Sequence, residues 1–291
     1  MTTSIITQTQ LATIYSQQNL WNLPLNQKLL AMNQALGPIN VNQATKKELS
    51  APLLSMIGPN YIPGEGCLTV GQQTNGWGGN PQTIGSSLAS FEAYKGTPTA
   101  EEIIMEGQTD FLLNRWGHVN GHTMNSPFWK AVTNIAGVKF KDLLATNFAW
   151  ADLLLCDHKG KSPLRKEKRN YVLSTNERLS LLDISKRAFL GNVSILRPKV
   201  IVLFTGPYYD WILEDWFNLP ANWKNIDLRS LSQCTDPNEP LLQYVKVFTW
   251  NGTLFIRTYH PGYLNRNKKR GYLKILDILA ATLKNLGVTG P

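Results

Sequence analysis

Residues 199–206, with the sequence KVIVLFTG, form a short apolar run that ends abruptly at a glycine. Three further runs end in the same way: Cys67–Val70 at Gly71, Asp142–Thr146 at Asn147, and Leu254–Tyr259 at His260. Short runs of this kind are typical of buried parallel strands, and helix signals lie between them. The pattern predicts an α/β fold of three layers, in which helices flank a central, mainly parallel sheet of about four to five strands.

The bulk composition is that of a globular protein. Of the 291 residues, 43% are hydrophobic and 17% are charged, which argues against large-scale disorder. No stretch approaches about eighteen consecutive apolar residues, and the amino terminus has no signal-peptide pattern. We therefore expect a cytoplasmic, monomeric protein without a membrane segment. Its three cysteines are too widely spaced to form a metal-binding pair, so neither a metal nor another cofactor is predicted.

Helix signals and composition divide the chain into two parts. Residues 1–50 are rich in Gln and Asn and predict a helical extension, whereas residues 51–291 predict one α/β domain. The Lys- and Arg-rich stretch 157–170 is predicted to be a mobile loop. The helices predicted within the domain run from a Thr99–Glu102 capping box toward Trp116, from Pro127 to near Gly137, from a cap at Thr175 or Asn176 to Leu190 before Gly191, and from 270 to 286 before Gly287.

The charge of the chain favours a polyanionic partner. The net charge is +9, and nine Trp, ten Tyr and ten Phe residues accompany the basic side chains. Cations can neutralise phosphates, and aromatic rings can stack on bases, so this combination suits a nucleic acid. The residues expected to hold its backbone are Lys161, Arg165, Arg266, Lys268, Lys269 and Arg270.

Polar or glycine residues follow the predicted strands. The stretch 71–79, GQQTNGWGG, can bring its backbone close to a ligand but matches neither a phosphate-loop nor a dinucleotide-binding pattern. Asn147 offers an amide that both donates and accepts, as reading a base edge requires. His260 lies between a strand and Pro261-Gly262, a setting that favours a functional role. Because the carboxyl ends of parallel strands meet at one edge, we expect these groups to converge.

These residues, in this order, resemble the motifs of the uracil-DNA glycosylase superfamily. The similarity covers about residues 60–265 and is carried by LTVGQQ at 68–73, Thr146-Asn147, RPKVIVL at 197–203, and His260-Pro261. The resemblance implies a parallel sheet flanked by helices, DNA binding, and extrusion of a nucleotide into a pocket at the strand ends.

The resemblance also implies roles for individual residues. Asn147 would read the flipped base, and His260 would donate a hydrogen bond to the departing base. Tyr263 or Leu264 would fill the gap that the extruded base leaves in the stack. Gln73 stands where the family usually has an Asp or Asn that positions the attacking water.

Two further roles are left with alternatives. Gln73 can orient a water molecule but cannot take its proton, so a carboxylate would have to come from Asp152 or Asp157, unless electrostatic stabilisation alone suffices. The family also stacks an aromatic ring on the flipped base, and Trp77 or Phe91 would provide it here.

A second departure from the family concerns selectivity. Uracil-specific members exclude substituents at C5 of the pyrimidine with a bulky aromatic residue, whereas this chain has Asn75-Gly76 in that neighbourhood. We therefore expect a roomier pocket lined by Gly71, Gln72, Gln73 and Asn75, whose polar groups could bind a hydroxylated or glucosylated substituent.

The sequence thus predicts a monofunctional DNA glycosylase that hydrolyses the N-glycosidic bond of a modified pyrimidine and leaves an abasic site. A 5-substituted or glucosylated cytosine of phage DNA would be its substrate, because the chain resembles bacterial antiphage glycosylases, and its role would be antiviral defence. The alternatives are a catalytically inactive DNA-binding module of the same fold, a repair glycosylase for uracil or damaged bases, and a hydrolase of free nucleosides.

Overall fold

The computed structural model of the chain describes residues 22–72, 87–94, 99–112, 126–159, 161–167 and 170–288. The strands of the described part are β1 (Met56–Ile57), β2 (Cys67–Gly71), β3 (Phe148–Asp152), β4 (Lys166–Glu167), β5 (Asn170–Tyr171), β6 (Val200–Leu203), β7 (Lys246–Trp250) and β8 (Thr253–Arg257). Six of these strands form one sheet in the order β1-β3-β2-β6-β8-β7, and β4 pairs with β5 separately.

The four central strands of the sheet are parallel. β2 pairs in parallel with both β3 and β6, and β6 pairs in parallel with β8. The two outer strands, β1 and β7, run antiparallel to their neighbours. The predicted α/β architecture with a mainly parallel sheet is therefore confirmed, and three of the four predicted strands coincide with β2, β6 and β8.

Helices cover both faces of this sheet. The described helices are α1 (Pro24–Gln34), α2 (Gln43–Glu48), α3 (Leu88–Ala93), α4 (Ala100–Leu112), α5 (Pro127–Ala136), α6 (Thr175–Leu196), α7 (Asp210–Phe217), α8 (Pro261–Arg266) and α9 (Lys274–Asn285). Successive residues of β6 alternate between two cores: Ile201 packs with residues of α6 and α7, whereas Val202 packs with residues of α5, α8 and α9. This alternation is the period of a strand that is buried on both faces, and it gives three layers.

The segment predicted as the second strand is not a strand. Residues Phe140–Ala145 form a 3₁₀ helix whose leucines, Leu143 and Leu144, are buried in two different cores. The strand begins at Phe148, after Asn147. Two apolar runs follow one another here, and only tertiary packing selects the second as the neighbour of β2.

Capping signals located most helix ends correctly. Thr99 and Glu102 form the predicted capping box, and α5 ends at Gly137, whose φ is +69°. However, α6 is capped by Ser174 and continues through Gly191 to Leu196. Gly191 does not end the helix but allows α6 to approach α1 closely, because a Cβ at this position would lie 2.9 Å from the side chain of Met32 in α1.

Two other segments differ from the prediction. The last helix begins at Lys274, after a 3₁₀ turn at Lys268–Arg270, although Gly287 does follow it with a φ of +73°. The described part of the basic loop is packed, with Asp157, His158 and Leu164 buried. Packing is possible because Leu164 enters the core while Lys159 and Lys161 remain exposed.

The amino-terminal helices are docked on the sheet. The side chain of Asn26 in α1 both donates to and accepts from the backbone of Ile57, each at 3.0 Å, and is fully buried.

None of the described helices is long and apolar enough to cross a membrane.

Candidate active site at the carboxyl ends of the parallel strands

The carboxyl ends of the four parallel strands form a continuous edge. Gly71 at the end of β2 pairs with Asp152 at the end of β3. The side chain of Gln72 donates to the carbonyl oxygen of Thr205, after β6, at 2.7 Å. A Cβ at Gly206 would lie 3.7 Å from the backbone nitrogen of His260, which follows β8. Residues from four distant parts of the chain thus meet in the order of the strands.

Gly71 makes room for the carboxylate of Asp152. A Cβ at position 71 would lie 2.3 Å from Oδ1 of Asp152 and 3.4 Å from the ring of Phe128. Such a contact with Oδ1 is too short for any side chain, so the carboxyl group lies directly over the glycine backbone. Phe128 sits in the first turn of α5 and packs edge-on against Phe204, and its ring is the other group beside position 71.

Burial keeps the Asp152 carboxyl group protonated at neutral pH. Desolvation raises its pKa from 3.8 to about 8, and the charge of Asp157 adds to the effect. At pH 7 the group is therefore mostly a neutral acid. In this form one oxygen donates a hydrogen bond and the other accepts, as the two atoms of a side-chain amide do.

His260 is held as a neutral imidazole by a hydrogen bond to one of its nitrogens. Its Nδ1 accepts the backbone N–H of Gly262 at 3.1 Å, so the side chain caps α8. An accepting Nδ1 places the ring proton on Nε2, which becomes a hydrogen-bond donor. Burial lowers the pKa of His260 below 6.5, and the nearby charge of Arg266 lowers it further. The imidazole is neutral at pH 7 for these reasons.

Two hydroxyl groups at the same edge were missed by sequence reasoning. Thr205 and Thr258 follow β6 and β8, are fully buried, and have hydroxyl oxygens without a hydrogen-bond partner among the described residues. The backbone N–H of Gly206 donates to the carbonyl oxygen of Thr258 at 2.9 Å, which joins the two turns. A threonine after an apolar run carries no signal that distinguishes it from a strand residue.

Asn147 lies at the opposite edge of the sheet. It precedes β3, and its side-chain oxygen accepts the backbone N–H of Ile62 at 2.8 Å. A strand of five residues rises by about 3.3 Å per residue, so roughly 16 Å separate Asn147 from the carboxyl ends. The prediction that Asn147 converges with His260 is therefore wrong. It failed because the strand was placed one apolar run too early, and Asp152 holds the strand-end position instead.

A scan against models of known protein families found no match, and a search of curated protein sequences found none either. The function of the chain is therefore inferred from the chemistry of the strand ends.

The remaining predicted pocket residues are only partly placed. Gln72 lies at the edge and is partly buried. Gln73, Asn75 and Trp77 lie outside the described residues. Phe91 is in α3, where it packs near Leu54 and Leu88 and lines a cavity of about 540 Å³ whose described lining includes neither Asp152 nor His260. Phe128, and not Phe91, is the aromatic ring that the described contacts place beside Gly71.

The predicted wedge and the basic residues divide into two groups. Leu264 is fully buried among residues of α5 and α9, so it cannot fill a gap in a DNA stack, and that alternative is wrong. Tyr263 is partly exposed and stacks on Tyr259. The predicted phosphate-binding side chains that are exposed are Lys161, Arg266, Lys268, Lys269 and Arg270, whereas Arg165 is partly exposed and donates to the carbonyl oxygen of His158 at 3.0 Å.

Metal binding has no support in the described part of the chain. There, no group of three or more His, Cys, Asp or Glu side chains is arranged to hold an ion. This edge offers two neutral groups, Asp152 and His260, that can each donate a hydrogen bond.

Proposed function

We propose that the chain is a monofunctional DNA glycosylase that binds an extruded pyrimidine between Asp152 and His260. The observation that carries the proposal is the location of both groups at the carboxyl edge of the same sheet. They belong to the ends of β3 and β8, which are three strand spacings of about 4.8 Å apart, roughly 14 Å in all. In this proposal a single planar ring binds between the two side chains.

The chemistry of base release suits the state of these groups. As the N-glycosidic bond breaks, positive charge grows on the sugar and negative charge grows on the base. The Nε2 proton of His260 would stabilise the base oxygen that receives this charge, as donors of an oxyanion hole do. A neutral imidazole loses no charge in this role, which agrees with the lowered pKa of His260.

Asp152 would read the edge of the base. A protonated carboxyl group pairs with one donor and one acceptor, the pattern that the resemblance assigned to Asn147. It would also avoid placing a fixed negative charge next to a base that is becoming an anion. The nearby ring of Phe128 would stack on the flipped base, because it lies beside the same glycine as the carboxyl group.

The nature of the base follows from the sequence and not from the edge itself. Asn75-Gly76 stands where uracil-specific relatives have a bulky ring, so we propose a 5-substituted pyrimidine, such as the modified cytosine of phage DNA, and a role in antiviral defence. The net charge of +9 and the exposed cations from Arg266 to Arg270 support a phosphate backbone as the partner.

Base release from defined DNA tests the proposal. The purified chain would be incubated with oligonucleotides that contain uracil, cytosine, 5-hydroxymethylcytosine or glucosylated 5-hydroxymethylcytosine, and free bases would be measured by mass spectrometry. We expect release of a 5-modified base, loss of release in His260→Ala, and retained DNA binding by that variant. Asn147→Ala, at the opposite edge, is the matched control and should retain release per folded molecule.

The alternatives predict different results. Faster release of plain uracil than of any modified base would favour a repair glycosylase. DNA binding without release of any base from a broad panel, including genomic DNA of phages with modified bases, would favour the noncatalytic module. Release from free nucleosides without dependence on salt would favour a nucleoside hydrolase, because phosphate contacts make DNA binding strongly salt-dependent.

A further inference from the structure

Four tyrosine rings form one cluster beside His260. Tyr259 directly precedes the histidine, and Tyr263 lies one turn later in α8. Tyr272 comes from the turn before α9, and Tyr244 ends a 3₁₀ helix at Pro240–Tyr244. We call these rings the tyrosine cluster.

The rings contact one another in sequence. Tyr259 and Tyr263 are stacked, with centroids 4.5 Å apart and planes inclined by 24°. Tyr272 lies 6.0 Å from Tyr259 and 5.7 Å from Tyr263, and Tyr244 lies 6.0 Å from Tyr259. Tyr244 is 38% exposed, and the other three rings are partly exposed. The tyrosine cluster is therefore partly buried, and its rings reach the surface.

The surface around the cluster is basic. The stretch between Tyr263 and Tyr272, LNRNKKRG, contains Arg266, Lys268, Lys269 and Arg270 and no acidic residue. All four cations are exposed. Asp236 and Glu239, which lie near the start of α9, are both paired with Lys274, at 2.9 and 2.8 Å, and Asp277 in the first turn of α9 accepts a hydrogen bond from Asn134. Partly exposed aromatic rings beside cations that have no ion pair among the described residues are the combination that binds single-stranded nucleic acid.

We propose that the tyrosine cluster stacks on unpaired bases next to the extruded nucleotide, so that the substrate is single-stranded DNA. The inference rests on the proposed function only for the position of the nucleotide at His260. A paired base exposes its edges but not its faces, and an aromatic ring can stack only on a face. Single-stranded DNA is favoured over a protein partner, because it supplies both bases for the rings and a phosphate at every nucleotide for the cations.

Binding of short oligonucleotides tests this inference separately from catalysis. Fluorescence anisotropy would compare a labelled twelve-nucleotide thymidine strand with the same strand in a duplex, at several salt concentrations. Tyr244→Leu removes the most exposed ring, and Tyr244→Phe is the matched control that keeps stacking. We expect Tyr244→Leu to weaken single-strand binding by about 5- to 100-fold, the range for one stacked base, with little change for the duplex.

The control for charge is Lys269→Ala. This substitution should weaken binding of the single strand and of the duplex equally. It should also lower the slope of log affinity against log salt concentration by about one. Thermal unfolding of each variant would confirm that it folds. Unchanged single-strand affinity in both Tyr244→Leu and Tyr263→Leu, or an equal loss for the duplex, would overturn the inference.

The two proposals can fail independently. Ring-dependent binding of single strands without release of any base would support the tyrosine cluster and contradict the glycosylase. A modified base could instead be released equally fast from single strands and duplexes, with no effect of either tyrosine variant. That result would support the glycosylase and overturn the proposed role of the tyrosine cluster.

Discussion

Gly71 and Asp152 are joined by a contact that only glycine permits, since a Cβ at position 71 would lie 2.3 Å from Oδ1 of Asp152. The carboxyl group of Asp152 lies at the end of β3. It is a neutral acid at pH 7, because desolvation raises its pKa to about 8. The candidate site thus depends on the lack of a side chain at Gly71 as much as on the carboxyl group of Asp152.

Gly71→Ala should therefore be harmful only while the carboxyl group is there. We expect the substitution to reduce base release at least tenfold and to lower the melting temperature. In an Asp152→Ala background the oxygen that collides is removed, so Gly71→Ala should cause little further loss of stability. Thermal unfolding of the four proteins of this double-mutant cycle measures the coupling. Additive effects would show that the two residues do not interact.

The pKa of Asp152 predicts how activity falls at alkaline pH. If the neutral acid reads the base, release should decline as the pH rises through about 8. Asp152→Asn cannot ionise, and it should keep substantial activity without this alkaline decline. A rate that instead rises through pH 8, together with an inactive Asp152→Asn, would identify the carboxylate as a general base.

The same pKa predicts a change in stability. The pKa of Asp152 is raised in the folded state, so the stability that goes with the protonated form is fully present below its ordinary value of 3.8 and is lost as the pH rises to about 8. Asp152→Asn removes this loss. Chemical denaturation should show the variant to be more stable than the original chain at pH 8, with a smaller difference at pH 4.

His260 should determine the acid limit of activity. Its neutral form caps α8 through Nδ1 and presents the Nε2 proton, and its pKa is lowered below 6.5. Base release should therefore hold down to pH values below 6.5 before it declines. Loss of this donor in His260→Ala should reduce the rate by about 100- to 1,000-fold, as for other donors that stabilise developing negative charge. A residual rate close to that of the original chain would exclude the role.

A buried ion pair supports the turn that carries His260. Arg257, the last residue of β8, bonds to Asp210 at 2.9 Å, and the side chains are only 4% and 7% exposed. Burial raises the pKa of Asp210 and lowers that of Arg257, so desolvation outweighs their attraction. Arg257→Met alone should cost about 3–5 kcal/mol in the free energy of unfolding, because it leaves a buried carboxylate without its partner.

The matched experiment on this pair is the double variant Arg257→Met/Asp210→Leu. It removes both charges, and denaturant unfolding should show that most of the loss is recovered. The exposed pair between Lys274 and Asp236 is the control, for which Asp236→Ala should cost no more than about 1 kcal/mol. Equal losses in the single and double variants at Arg257 would contradict the account.

The fold was predictable where local signals and packing agree. The runs that became β2, β6 and β8 are apolar, short and bounded by turn residues, so any compact arrangement buries them. The capping box at Thr99 and the proline at the start of α5, Pro127, located helix starts for the same local reason. These features depend on residues close together in the sequence, where the side-chain pattern and the backbone hydrogen bonds act on the same few positions.

The candidate site was predictable only in part. His260 is fixed by its neighbours Pro261 and Gly262, and its place after a strand follows from the sequence. Asn147 was misplaced because two apolar runs adjoin, and choosing between them requires the pairing of β3 with β2. Leu264 was predicted as an alternative to Tyr263 for the wedge, and only the packing of α8 against α5 and α9 shows that it belongs to the core.

The sequence by itself determined the layered α/β class, the basic charge and the histidine at a strand end, since each follows from composition or from residues adjacent in the chain. Only the tertiary structure decided that Asp152 and not Asn147 faces the edge with His260, that burial neutralises the carboxyl group of Asp152, and that four tyrosines gather beside His260. The physical reason is that pKa values and clusters depend on desolvation and on contacts between distant segments, which exist only after the strands have paired.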